Sequence, residues 1–174
     1  MAFYVFGYGS LMWRPGFAHG ARQTATVRGR HRALCVYSFV HRGTEARPGL
    51  VLGLDRGGAC RGILFEVADA DREAVIAYLR EREQVTMVYR EAMVSARCDD
   101  GTVVKALTYV VDRSHRQYAG KLDHDATLRQ VVGAVGRSGP NEDYVLSTAD
   151  HLTELGVADA RLHGLARALR QPAA

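Results

Sequence analysis

The residue types best placed to do chemistry stand at two points in this chain. The first is Val5-Phe6-Gly7-Tyr8-Gly9-Ser10-Leu11-Met12-Trp13, where a short apolar run opens into glycines and a hydroxyl. Gly7 and Gly9 release the backbone from the steric limits on other residues, so the loop can turn sharply and aim several N–H groups at one spot. Such a nest of donors suits an anion or a developing oxyanion. The second is Glu83. On a wheel of about 100° per residue it falls close to Ile76 and Leu79, while Glu81 points nearly opposite. A carboxylate buried at a helix C-terminus is disfavoured by desolvation and by the negative end of the dipole. Both effects raise its pKa above the usual value of about 4.3, toward the range where a carboxyl can exchange protons near neutrality. The competing conformation ends the helix near Arg82 and swings Glu83 out to pair with an arginine.

Other readings of the glycine loop fail on spacing. A dinucleotide fingerprint requires a third glycine at position 12, where Met12 stands. A hydrolase elbow requires glycine on both sides of the serine at spacing two, whereas Ser10 is followed by Leu11 and Met12. An isolated Gly-x-Gly is otherwise an ordinary turn, and only downstream features distinguish this one.

The elements that must position these residues follow from periodicity. Phe3 to Phe6 reads as a buried strand, and Arg14-Pro15-Gly16 as a turn. Arg22 to Val27 and His31 to Val40 read as two strands joined at Gly29, followed by a polar loop from His41 to Gly49. Leu50 to Leu54 and Cys60 to Val67 make two further strands around a turn at Asp55 to Ala59. A helix follows, capped by Asp69 or Asp71, with Val75, Ile76 and Leu79 on its apolar face and Glu83 at its end. Tyr89 to Ala96 and Val103 to Val111 are strands flanking Asp99-Asp100-Gly101. The period then becomes helical over Asp123 to Val135, Asn141 to Leu155 and Asp159 to Leu169, ahead of a short Gln171 to Ala174 tail. Strands followed by helices predict an α+β fold with helices on a curled sheet, organised as a single domain over residues 1–174.

Composition narrows the function classes. A hydrophobic fraction of 47% and a charged fraction of 24% are those of a soluble globular protein, and no apolar run approaches the roughly 20 residues of a membrane span. No signal-peptide pattern opens the chain, so the expected compartment is the cytoplasm, with no membrane partner. Cys35, Cys60 and Cys98 are odd in number and widely spaced, which fits reduced structural thiols and no metal site. The net charge of +4 invites a nucleic-acid reading. Yet the arginines are scattered and only Lys105 and Lys121 are lysines, so no nucleic-acid partner is expected.

With these residues in hand, the chain resembles the ChaC-type γ-glutamylcyclotransferases, which act on glutathione. Val5 to Pro15 looks like their signature. Arg42-Gly43-Thr44 with Pro48-Gly49, Tyr78-Leu79-x-x-Arg82-Glu83, Tyr118-x-Gly120 and Gly136-x-Ser138-Gly139-x-Asn141 match further blocks in the same order. One departure is Val85-Thr86-Met87-Val88, where many relatives carry a glycine pair. The resemblance implies a small β-barrel, closed or partly open, flanked by helices, and an enzyme of the cyclising lyase kind. It implies cleavage of glutathione to 5-oxoproline and cysteinylglycine without cofactor or metal, with Glu83 as acid/base and Tyr8, Gly9, Ser10 and Leu11 binding substrate. Supporting roles fall to Arg42 or Arg47 at the glycyl carboxylate and to Tyr118 or Tyr144 as hydrogen-bond partner. The expected partner is the small-molecule substrate, with the chain a monomer or weak homodimer. The alternatives are a cyclotransferase for other γ-glutamyl amino acids or amines, a noncatalytic binder of γ-glutamyl ligands, and a hydrolase using Ser10 with a histidine such as His41.

Overall fold

The computed structural model describes residues 2–171, so the last three residues of the expected C-terminal tail lie outside the described residues. Five strands close into a mixed barrel in the order β1-β3-β2-β4-β5. They are β1 (Ala2–Gly7), β2 (Arg22–Ser38), β3 (Gly49–Ala68), β4 (Tyr89–Cys98) and β5 (Val103–Val111). Helix α1 (Arg72–Glu83) stands between β3 and β4. After β5 come α2 (His124–Val131), the short pair β6 (Val135–Gly136) and β7 (Gly139–Pro140), α3 (Asn141–Glu154) and α4 (Ala160–Arg170). The described residues group into two compact units, 2–32 with 54–115 and 33–53 with 116–171.

The first unit holds β1, α1, β4 and β5 together with the first half of β2 and the second half of β3. β1 pairs antiparallel with β3, Val5 opposite Phe65 and Gly7 opposite Ile63, and meets β5 in parallel at Val5 and Leu107. Covered by strands on both edges, β1 buries residues of both faces, Val5 and Phe6 alike. That is why its sequence is a continuous apolar run, not an alternation. β4 pairs with β5 from Tyr89–Val111 to Arg97–Val103, and β2 with β4 around Thr26–Arg97. The polar Thr108 is admitted to this core because its hydroxyl donates to Phe6 O at 2.9 Å.

The second unit holds the remaining halves of β2 and β3 and the three C-terminal helices. Residues 117–119 run beside β2, with Tyr37 N donating to Gln117 O and Ala119 N to Cys35 O, both at 2.7 Å. α3 buries Val145, Thr148, Ala149 and Leu152, and α4 buries Leu162, Leu165 and Ala166, each at helical spacing. Asp123 and Asp159 cap α2 and α4 by accepting the amides of Ala126 and Leu162.

Four features differ from the sequence expectations. The two strand pairs predicted on either side of Gly29 and of residues 55–59 are single strands of 17 and 20 residues. Gly29 (φ +85°), Gly57 (+100°) and Gly58 (+68°) sit inside them. A left-handed glycine can bend or bulge a strand without ending its ladder, and barrel closure requires such bends. The helix predicted to Val135 stops at Val131, ahead of Gly133 at φ +80°, and Val135 enters the β6–β7 hairpin instead. Neither Asp69 nor Asp71 caps α1 through its side chain, because Asp69–Asp71 itself forms a 3-10 turn leading into the helix.

Candidate active site

In the first unit, β1 delivers the glycine loop and α1 delivers Glu83. Past Gly7 the chain enters a 3-10 turn, Ser10–Met12, in which Gly9 O accepts Met12 N at 2.9 Å and Ser10 O accepts Arg14 N at 2.8 Å. The amides of Gly9, Ser10 and Leu11 form the leading edge of this turn, where the first N–H groups have no intrahelical acceptor. Arg32, buried on β2, sets the direction of that edge. Its Nε donates to Tyr8 O at 2.6 Å and its Nη2 to Arg61 O at 2.6 Å. Because a trans peptide holds C=O and N–H on opposite sides, fixing the Tyr8 carbonyl toward Arg32 turns the Gly9 N–H the other way. Tyr8 and Leu11 are buried, Gly9 is partly covered and Ser10 is exposed.

Glu83 is the last residue of α1, which extends through it and is closed by Gln84 N donating to Arg80 O at 3.0 Å. Of the two conformations considered, the inward one is adopted: the Glu83 side chain keeps only 18% of its surface exposed, whereas Glu81 is exposed. Burial pushes the Glu83 carboxyl above its ordinary range, and the Arg82 guanidinium pulls it part of the way back. Arg82 Nε lies 3.7 Å from Glu83 Oε1, too long for a hydrogen bond but close enough for charge to act. The same guanidinium reaches the glycine loop, with Nη2 donating to Ser10 Oγ at 2.8 Å. Loop and carboxylate are therefore joined through one side chain.

On β5, Tyr109 donates its hydroxyl to Glu91 Oε1 at 3.0 Å. Burial above all, then this bond, holds the Tyr109 phenol well above its usual range, and the charge of Glu83 adds to the effect. Glu91 is held below the ordinary carboxylate range, mainly by the hydrogen bond from Arg80 Nε at 2.6 Å. Two carboxylates on neighbouring elements are thus driven apart, one toward the neutral form and one toward the charged form. Sequence reading missed Arg32, Arg82 and Tyr109 as parts of this site. Arg82 carried a signal, its adjacency to Glu83; Arg32 and Tyr109 reach the site only through barrel closure.

The other residues singled out in the sequence lie in the second unit. Arg42 Nη1 donates to Pro140 O at 3.1 Å, and its guanidinium lies over the Tyr144 ring, 5.7 Å from the centroid. Tyr118 bridges Val36 through its backbone and is partly buried. Tyr144 Oη accepts Leu52 N at 3.0 Å, and Arg47 Nη2 donates to Arg129 O and Val132 O. His41 Nδ1 lies 2.9 Å from Ser138 Oγ, while Ser10 Oγ faces the Arg82 guanidinium. Ser10 therefore has a cation beside it where a serine nucleophile needs a base. Among the described residues, no three His, Cys, Asp or Glu side chains are placed to hold a metal ion.

A family model described as ChaC-like protein matches residues 3–171. The chain belongs to the ChaC-like family. It is 32% identical over 162 residues to the glutathione-specific gamma-glutamylcyclotransferase of Escherichia coli K12, covering 93% of this chain and 70% of that protein. To the human glutathione-specific gamma-glutamylcyclotransferase 1 it is 33% identical over 159 residues, covering 89% and 72%. Its fold is that of a yeast γ-glutamyl cyclotransferase specific to glutathione, with a TM-score of 0.84 at 20% identity, covering 97% of this chain and 95% of that one. The barrel expected from the ChaC-type resemblance is the barrel observed, and it is closed.

Proposed function

We propose that this ChaC-like protein is a glutathione-specific γ-glutamylcyclotransferase. The observation that carries the reading is Glu83: a largely buried carboxyl at the end of α1, joined through Arg82 to a glycine turn whose first N–H groups have no intrahelical acceptor. Relatives named for this activity in bacteria and vertebrates support the choice of substrate.

The chemistry requires geometry and proton transfer. Glu83 takes a proton from the α-ammonium of the γ-glutamyl group, and the freed amine attacks the γ-carbonyl carbon. That carbon–nitrogen bond closes a five-membered lactam, and the oxygen becomes an oxyanion opposite the amides of Gly9, Ser10 and Leu11. A well-placed donor of this kind is worth about 3–4 kcal/mol in the transition state. The bond to the cysteinyl nitrogen then breaks as Glu83 returns its proton to that nitrogen, and the second proton of the attacking amine passes the same way, so that 5-oxoproline leaves as the neutral lactam and cysteinylglycine with its amine protonated. A carboxyl raised toward neutrality performs both transfers better than an ordinary one. Tyr8, at the head of the glycine turn, packs beside the γ-glutamyl group.

The protein acts as a single domain over residues 1–174, as a monomer or weak homodimer, without nucleic-acid or membrane partners. The cytoplasm is its compartment, in keeping with the absence of a signal-peptide pattern at the start of the sequence. Among the described residues, no helix is long and apolar enough to cross a membrane. The test is incubation with reduced glutathione, γ-Glu-Ala and a γ-glutamylamine, following 5-oxoproline and each leaving group by mass spectrometry. Release of 5-oxoproline and cysteinylglycine from glutathione, well above turnover of the others, supports the proposal. Fast γ-Glu-Ala turnover beside negligible glutathione turnover overturns its substrate, and absence of 5-oxoproline from every compound overturns the activity.

A further inference from the structure

Arg82 makes more contacts with the site than its place beside Glu83 requires. Its Nη1 donates to Arg14 O at 2.6 Å and lies 3.2 Å from Pro15 O and 3.1 Å from Tyr78 Oη. Its Nη2 donates to Ser10 Oγ at 2.8 Å, and its Nε edge is turned to Glu83. Tyr78, one helical turn earlier, packs its hydroxyl directly on Gly16, where a Cβ would fall 2.9 Å from Tyr78 Cζ. The segment from Ser10 to Gly16 is thus clamped against the last turns of α1 by two side chains of that helix. A planar guanidinium with five N–H donors can hold several acceptors on separate strands of chain at once, which an ammonium cannot.

We infer that Arg82 is a positioning residue, a single guanidinium that fixes the Ser10 turn relative to the Glu83 carboxylate and lends that carboxylate its charge. The inference rests on the proposed cyclotransferase reading, in which donors on the turn and the base on α1 act on one substrate. The charged group that acts on Glu83 is Arg82 from α1; Tyr109 from β5 is near enough to feel the Glu83 charge, with Arg80 and Glu91 behind it. Arg82 is the cation adjoining the carboxyl, so removing it leaves desolvation unopposed and drives Glu83 further toward its neutral, non-basic form.

The experiment compares wild type, Arg82→Lys, Arg82→Met and Ser10→Ala by the pH profile of kcat/KM for glutathione and by a carboxyl-carbon NMR titration of Glu83, assigned with Glu83→Gln. Arg82→Met lowers kcat/KM about a hundredfold, the scale of a loop misplaced by about 1 Å, and moves the acid limb to higher pH. Arg82→Lys keeps the charge without the fork, losing activity but leaving the limb in place. Ser10→Ala loses activity by only a few-fold, with the limb unmoved. Limb position does not depend on how much of a variant is folded, so partial unfolding cannot imitate the shift. A limb unmoved in Arg82→Met, or displaced equally in Arg82→Lys and Arg82→Met, overturns the inference. If wild type forms no 5-oxoproline but the Glu83 resonance titrates higher in Arg82→Met than in wild type, the cyclotransferase proposal falls while the coupling of Arg82 to Glu83 stands.

Discussion

Asn141 Oδ1 accepts the amide of Leu50 at 2.8 Å while its Nδ2 donates to the carbonyl of the same residue at 2.8 Å. The side-chain amide thereby imitates a neighbouring strand at the start of β3, from a position at the first turn of α3 with no exposed surface. Replacing it by Ala strands a buried N–H and a buried C=O together. At about 1–3 kcal/mol for each buried group left unsatisfied, Asn141→Ala costs on the order of 2–4 kcal/mol. Asp keeps the acceptor but loses the donor and introduces a charge, so Asn141→Asp is no milder. Urea unfolding of the three proteins checks this. A midpoint for Asn141→Ala within error of wild type refutes it.

Gly62 on β3 has no room for a side chain. A Cβ there would overlap Gly7 O and stand 2.7 Å from Phe6 Cζ, and both neighbours belong to the strand that leads into the glycine turn. Gly62→Ala must therefore push β3 off β1 or turn the Phe6 ring, at a cost of about 1–3 kcal/mol for overpacking. The displacement falls on Gly7, so activity should drop by more than the folded fraction does. Parallel measurement of the thermal midpoint and of 5-oxoproline release separates the two effects.

The glycine turn was legible in the sequence because residue type sets it locally, and the register of an amphipathic helix put Glu83 on the inward face without deciding between an inward side chain and one swung out to an arginine. Arg32 was not legible. Its partners Tyr8 and Arg61 stand 24 and 29 residues away, and they meet only once β2 lies in the barrel. The strand lengths were misjudged for a related reason. Gly29, Gly57 and Gly58 carry the signature of turns, and whether a left-handed glycine ends a strand or bends it depends on the partners across the ladder, which spacing does not encode. Asn141 shows the same limit on a smaller scale, since nothing in its neighbourhood announces a pairing with Leu50.

Met87 takes φ +62°, the one non-glycine residue among those described with a positive φ, in the loop that follows Glu83. Holding a side chain there costs about 1–2 kcal/mol. Glycine removes that cost but adds roughly 0.5–1 kcal/mol of unfolded-state entropy. With 60% of the Met87 surface exposed, little packing is lost, so strain relief outweighs entropy. Met87→Gly is expected to be neutral to slightly stabilising, by at most about 1 kcal/mol. Differential scanning calorimetry decides it, and a clear fall in the thermal midpoint contradicts the argument.

Glu83→Gln should separate activity from stability. Gln keeps the shape but can neither accept the ammonium proton nor return one, and the loss of such an acid/base costs about 10²–10⁴-fold in rate. Stability moves the other way. The folded-state pKa of Glu83 is raised, chiefly by burial. Folding therefore favours the neutral form, and its contribution is fully present below the unfolded-state pKa and lost as pH rises through the folded value. At pH 8 wild type must fold around a buried negative charge that the variant lacks, so Glu83→Gln melts higher. Below about pH 4 the carboxyl is neutral in both states and the two melting temperatures converge. Thermal scans of both proteins across this range, beside assays of 5-oxoproline release, read both effects at once. A Glu83→Gln protein that is inactive and less stable than wild type at pH 8 would show that Glu83 holds the fold together as an anion, and the desolvation argument for its catalytic pKa would fail with it.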